Sequence, residues 1–263
     1  MKELIQHVRA SIVRLSLFKD REQVGSGSGF LAGGFLITCS HVLRQHRFDA
    51  IEITFGDHNI NEITPIKYSS EFILNSIAGE SPESEYDFAI VRFDEPELQG
   101  RCRLEVRTFK EETVGEQVLF FGFPFGTHHL TSHVGYISAD FKRDNIHVFQ
   151  IDGSINPGNS GGPLIHVPSA SVIGIVTRTE TGLERDFDTL VEALRNNIAI
   201  LERSRQSGMQ VQIAGIDPVV SFRATMGILS KLSFNIKRSA NVGIGFSFSS
   251  EHILQTGLIK DSA

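Results

Sequence analysis

The run from Ile155 to Leu164 constrains the fold more than any other stretch of this chain. It reads Ile155-Asn156-Pro157-Gly158-Asn159-Ser160-Gly161-Gly162-Pro163-Leu164 and sets one serine inside a tight glycine turn. Gly158 and Gly161 leave backbone room on both sides of Ser160. A turn packed that way aims the N–H groups of Gly158 and Ser160, on either side of Asn159, at one point. Two such donors form an oxyanion hole, which stabilises the charge that develops in acyl transfer. The hole is therefore assigned to Gly158, Asn159 and Ser160. A serine hydroxyl is a poor nucleophile without a base, and the base needs a group to orient it. His41 and Asp87 lie upstream as candidates for those two roles.

The order His41, Asp87, Ser160 matches the two-barrel serine proteases and not the Ser-Asp-His order of α/β-hydrolases. The distinction matters because Gly158-Asn159-Ser160-Gly161-Gly162 also fits a G-x-S-x-G elbow. An elbow needs a helix directly after the serine. Here Pro163 follows, then the strand-like Leu164-Ile165-His166-Val167. His252 follows Ser160, but not with an acid in the expected context. Asp49, Asp57 and Asp94 also lie between His41 and Ser160. Asp87 is preferred because it opens an apolar run, where a buried acid must have a partner.

Alternation marks the rest as short strands with glycine turns, the pattern of β-barrels. Val13, Leu15 and Leu17 alternate, as do residues 51–55. Phe30-Leu31 and Phe35-Leu36-Ile37 read as a hairpin across Gly33-Gly34. Residues 87–93, 118–121, 134–139 and 148–151 read as further strands. Leu4, Ile5, Val8 and Ile12 suit a short N-terminal helix. The acidic stretch 70–85 reads as a loop. Leu183, Phe187, Leu190, Val191, Leu194, Ile198 and Leu201 fall three or four apart, as on an amphipathic helix. A second helix starts with Asp217 as cap and Pro218 at its first position, and Phe222, Met226, Leu229 and Leu232 form its apolar face.

These motifs resemble the trypsin-like serine proteases of the HtrA (Deg) branch. Gly25-Ser26-Gly27-Ser28-Gly29-Phe30 is similar to that family's glycine-rich strand. Ile37-Thr38-Cys39-Ser40-His41-Val42 is similar to its histidine motif, and Asp87-Phe88-Ala89-Ile90-Val91 to its aspartate strand. Phe121-Gly122-Phe123-Pro124-Phe125-Gly126 resembles its GNPFG turn, with Phe123 in place of asparagine. Residues 152–164 resemble its serine loop, and Gly243-Ile244-Gly245-Phe246 the segment closing its substrate pocket. The resemblance covers residues 12–178 and 241–260.

The resemblance implies an all-β chain of two six-stranded antiparallel β-barrels with a helical hairpin inserted in the second. Residues 1–105 would hold the N-terminal helix and the first barrel, with His41 and Asp87. Residues 106–263 would hold the second barrel with Ser160, an insert at about 179–240 and a C-terminal helix. It implies a serine endopeptidase with catalytic His41, Asp87 and Ser160. Asn159 stands where zymogen-type relatives carry aspartate, which implies no activation by N-terminal trimming. The substrate pocket would be lined by Ser154, Ile155, Val176, Thr177, Gly243, Ile244 and Gly245. Its base has no carboxylate, so small to medium apolar side chains are expected there, not Lys or Arg. No PDZ domain is recognised after residue 260.

Composition narrows the partners. A net charge of −6 argues against a nucleic-acid binder, because phosphate contacts need a basic surface. No apolar run reaches the length of a membrane span, and residues 1–9 have no signal-peptide core. Two cysteines, Cys39 and Cys102, are too few for a disulfide-built secreted domain. A cytoplasmic location is expected. The expected partners are a protein or peptide substrate, and a regulatory protein bound through the insert 179–240. No cofactor and no metal are expected: His128, His129 and His133 cluster without an acidic or cysteine companion at ligand spacing. The rival reading is a catalytically silent module that keeps the protease fold and binds a peptide or partner protein.

Overall fold

The computed structural model describes all residues except 58–64, 93–100, 102, 109–112, 178–181, 207–214, 216, 240–242 and 263. The chain opens with helix α1 (Lys2–Val8), which turns its buried Val8 inward and leads into β1 (Ile12–Lys19). β1 pairs antiparallel with both β2 (Glu22–Ala32) and β4 (Ala50–Phe55). β2 turns at Gly33 and Gly34 into β3 (Phe35–Thr38), as alternation predicted. Helix α2 (Ser40–Arg44) follows β3. β5 (Ile66–Ser69), α3 (Ser70–Asn75), β6 (Ile77–Ser81) and β7 (Phe88–Arg92) complete the first half.

The second half is a closed barrel in the order β10-β13-β12-β11-β8-β9. Its strands are β8 (Gln117–Gly122), β9 (Thr131–Arg143), β10 (Ile146–Ile151), β11 (Pro163–His166), β12 (Ser171–Thr177) and β13 (Gly245–Ser249). Val118, Phe120, Ile137, Phe149, Ile151, Leu164, Ile173 and Val176 fill it. Leu119 and Phe121, on the other face of β8, join the core of the first half. Both faces of β8 are buried, which is why its sequence reads as an unbroken apolar run.

The first half departs from the expected six-stranded barrel. It is a seven-stranded half-barrel in the order β5-β4-β1-β2-β3-β7-β6. Among the described residues no ladder joins β5 to β6. Six of the seven residues between them form α3, so a helix bridges the two edges where a strand pair would close the sheet. The same segment corrects the reading of 70–85 as a loop. Ser69 caps α3 by accepting the Phe72 N–H at 3.2 Å, Glu71 sits in its first turn and Ile73 is buried.

Residues 1–178 and 243–263 make one compact unit, and residues 179–242 make another. The second is the expected pair of helices, α4 (Gly182–Gln206) and α5 (Pro218–Ser239). Asp217 caps α5, its Oδ1 accepting the Val219 N–H at 2.9 Å. Ile198 and Val219 are buried, while Leu190 and Leu232 of the anticipated apolar faces are exposed. The side chains of Leu183, Phe187, Val191 and Leu201 lie outside the described set. A short C-terminal helix, α6 (Glu251–Gln255), follows β13.

Candidate active site

β3 delivers His41 to the first turn of α2. There its backbone N–H donates to Asp87 Oδ1 at 3.0 Å and its ring Nδ1–H donates to Asp87 Oδ2 at 2.7 Å. Asp87 stands immediately before β7 at φ +47°. Aspartate is among the few residues that tolerate this left-handed conformation. The turn aims a fully buried carboxylate at the histidine. Thr177, the last residue of β12, donates its hydroxyl to Asp87 Oδ2 at 2.9 Å. Three donors thus satisfy a carboxylate that would otherwise be costly to bury.

A second network fixes α2 itself. Glu80 on β6 accepts the Ser40 hydroxyl at 2.7 Å and the Arg44 guanidinium at 2.9 and 2.8 Å. The Arg44 hydrogen bonds hold the Glu80 carboxyl below its usual range. A cleft beside His41 is lined by Ser40, Arg44, Gln45, Glu80, Pro82 and Glu83.

Most backbone groups of the serine turn are hydrogen-bonded. Pro157 O accepts the Phe125 N–H at 2.6 Å, Asn159 O the Gly162 N–H at 3.0 Å and Ser160 O the Ser28 N–H at 2.8 Å. Gly158 O accepts the Ser28 hydroxyl at 2.7 Å. The Asn159 N–H donates to Asn156 O at 3.0 Å and the Gly161 N–H to Val176 O at 2.9 Å. Among the described residues, only the N–H groups of Gly158 and Ser160 are left over in the stretch 158–162. These are the two donors that the glycine pattern singled out, while the Asn159 N–H is already committed. Gly158 has φ +96°, and a Cβ there would lie 2.3 Å from Phe123 O. Gly161 has φ +88°, and its Cβ would lie 2.2 Å from Ser28 O. Both positions therefore require glycine.

Ser160 is buried and, among the described residues, its hydroxyl makes no hydrogen bond to His41. The Asn159 carboxamide is buried with neither polar atom partnered.

Of the anticipated pocket residues, Ile155 packs against the cluster that holds Val176 and against Gly245. Ser154 and Ile155 are half-buried, and Ile155 lies over Gly245, where a Cβ would sit 2.5 Å from its Cδ1. Ile244 is exposed beside Gly243, which has φ +73°. Val176 is fully buried in the core of the second barrel, and the Thr177 hydroxyl is spent on Asp87.

Three residues near the site carry more than their motifs announced: Ser28, Thr177 and Cys39. The Cys39 thiol is fully buried and donates to Val176 O at 3.5 Å. Burial pushes it well up, and the nearby Asp87 carboxylate pushes it further. Ligand atoms of Cys39, His41 and Asp87 lie within 4.8 Å of one another, but the His41 nitrogen and the carboxylate are already bonded to each other. The loop histidines diverge. His128 Nδ1 accepts from Arg14, and His133 stacks on Phe120 with centroids 4.6 Å apart. Burial holds His133 below the ordinary imidazole value, and Arg14 does the same for His128.

Known proteins agree with this architecture. Residues 26–175 match the trypsin-like peptidase domain family. A probable periplasmic serine endoprotease DegP-like of Rickettsia prowazekii is 27% identical over 89% of this chain and 46% of its own length. The chloroplastic Protease Do-like 1 of Arabidopsis thaliana is 32% identical over 58% of this chain and 33% of its own length. The chain thus spans under half the length of these relatives. Among solved structures, the HtrA-type protease AlgW with tripeptide superposes with a TM-score of 0.52 at 26% identity, over 67% of this chain and 53% of that one. The serine endoprotease from Yersinia pestis, at 23% identity, shares the fold with a TM-score of 0.52, over 68% and 57%. The chain belongs to the trypsin-like peptidase family, and HtrA/DegP-like proteases are its homologues.

Proposed function

We propose that this trypsin-like peptidase is an active serine endopeptidase. The observation that carries the reading is that, among the described residues, only Gly158 and Ser160 keep a free N–H in the stretch 158–162. Ser160 Oγ attacks the carbonyl carbon of a peptide bond, and His41 Nε2 takes its proton. The two free N–H groups receive the oxyanion. Asp87 accepts the Nδ1–H, which sets the tautomer and stabilises the imidazolium. The imidazolium then gives its proton to the leaving amine. Water, deprotonated by the same histidine, releases the acyl group from Ser160.

Substrates are peptides with small or medium apolar side chains before the scissile bond. Such a pocket discriminates weakly, at roughly 1–3 kcal/mol per methylene. The preferred biological role is limited cleavage of a dedicated intracellular partner. A buried free Cys39 fits a reducing compartment.

The test is labelling with a fluorophosphonate probe. The wild-type chain is expected to be labelled at Ser160 and the Ser160→Ala variant not at all. Absence of labelling in a folded wild-type chain would favour the second reading, a silent binding module. That reading draws on the missing Ser160–His41 hydrogen bond. Catalytic hydrogen bonds are often loose before substrate binds, so the enzyme reading stands first.

A further inference from the structure

We propose that the Ser28 hydroxyl is a positioning group for the oxyanion hole, resting on the reading of Gly158 and Ser160 as its donors. Ser28 lies on β2, in the first half of the fold, and is fully buried. Its backbone N–H holds Ser160 O at 2.8 Å. Its side chain does something separate. Oγ accepts the Phe123 N–H at 3.1 Å, so the hydroxyl hydrogen is left to point at Gly158 O, 2.7 Å away. One oxygen thereby ties the serine turn to the turn that follows β8.

Gly158 has no Cβ and a positive φ, so side-chain sterics do not hold its backbone in place. Its N–H lies in the peptide plane before it, and the plane after it limits how far that plane can turn about the Gly158 φ and ψ. The plane before it is held through Pro157 O by the Phe125 N–H. The plane after it is held through Gly158 O by the Ser28 hydroxyl and through the Asn159 N–H by Asn156 O. The first of these clamps also leans on Ser28. Phe125 sits at φ +58°, a strained conformation for an aromatic residue. It is reached through Phe123, whose N–H rests on Ser28 Oγ. Removing that oxygen loosens both clamps but leaves the Ser28 N–H bond to Ser160 O in place.

The bland alternative is a buried serine that merely satisfies its neighbours. The Ser28→Ala variant separates the two, because it deletes the hydroxyl and keeps the backbone. With a fluorogenic peptide carrying a small apolar residue before the cleaved bond, kcat is expected to fall about 10–100-fold, less than the ~10²–10³ for losing a donor outright. KM stays within about twofold. The acid limb of the rate profile stays where it is, since the His41–Asp87 pair is untouched. Amide exchange supplies a readout free of catalysis. Phe125 and Asn159 N–H groups, neither bonded to Ser28, are expected to lose protection. A purely local role would expose only Phe123. Ser28→Cys, which keeps a weak donor, is expected to fall between wild type and alanine in both readouts.

Unchanged kcat, or protection unchanged at Phe125 and Asn159, would overturn the proposal. So would a loss of kcat matched by a rise in KM and a general rise in exchange. If the wild-type chain fails to cleave any peptide, the endopeptidase reading fails, and exchange at Phe125 and Asn159 still decides the role of Ser28.

Discussion

Thr177 Oγ donates to Asp87 Oδ2 at 2.9 Å, on the same oxygen that receives the His41 ring. A residue that ends a strand of the closed barrel thus holds the carboxylate that the half-barrel presents to its own histidine. The carboxylate is fixed from both halves before any substrate arrives.

Asp87→Asn tests that arrangement. Asparagine tolerates the left-handed backbone at this position, so the fold is expected to persist. Its NH2 group must face either the two donors at Oδ2 or the His41 backbone N–H at Oδ1, so one of these hydrogen bonds is lost and the ring tautomer is no longer fixed. kcat is expected to fall by about 10⁴. Peptide hydrolysis near the wild-type rate would remove Asp87 from the mechanism.

Much of this site was legible in the chain. Glycines at 158 and 161 reported the required backbone directly, because only they fit where a Cβ would strike Phe123 O and Ser28 O. His41 and Asp87 were legible through the apolar strands beside them. The bond from Thr177 to Asp87 was not legible, because motif position says nothing about where a hydroxyl turns. The half-barrel was missed for a related reason. The acidic residues of 70–85 masked a one-and-a-half-turn helix whose signals are only the Ser69 cap and the buried Ile73. A pattern so short has too few residues to show a period.

The crowding around Gly158 predicts unequal outcomes at two positive-φ positions. Gly115→Ala, at φ +92° with nothing within 4 Å of the new Cβ, costs backbone strain alone, about 1–2 kcal/mol. Gly158→Ala adds a clash with the Phe123 carbonyl and turns the oxyanion donor aside. Hydrolysis should drop at least about 10²-fold in the second variant and little in the first. Equal activity in the two variants would contradict the assignment.

The Cys39 thiol is held up by burial and by Asp87, so little thiolate forms at neutral pH. Iodoacetamide at pH 8 is expected to leave Cys39 unmodified in the native protein and to label it after denaturation, as read by peptide mass mapping. Labelling of native Cys39 at the rate of a free cysteine would show that the site opens.

Glu80 gives a pH-dependent prediction. Its folded carboxyl is held below its ordinary value, chiefly by Arg44. Its contribution is therefore full above the unfolded value and is lost as pH falls through the lowered folded one. The gap in Tm between wild type and Glu80→Gln should be largest at neutral pH and shrink on acidification. A gap that widens toward low pH would reverse the sign.

The helical unit can be tested as a separable part. Ile198 and Val219 are buried, and Arg223 pairs with Glu202 between its helices. β12 and β13 meet in direct register, Thr177 opposite Phe246 and Val176 opposite Ser247. The strand ends are therefore neighbours, and a short connection suffices to join them. Shortening a flexible connection changes closure entropy only slowly, by about 0.6 kcal/mol per halving. Replacing residues 183–236 with a Gly/Ser loop should leave the β unit folded, with a Tm near wild type and with fluorophosphonate labelling of Ser160. If a protein partner docks on the helices, exposed Leu190, Ile200, Val220, Ile228 and Leu232 are the side chains it would cover. Peptide hydrolysis by the shortened chain should match wild type, while cleavage of the natural partner falls. An unfolded product would show that the helices are needed by the barrel itself. Equal cleavage of partner and peptide would leave them without a docking role.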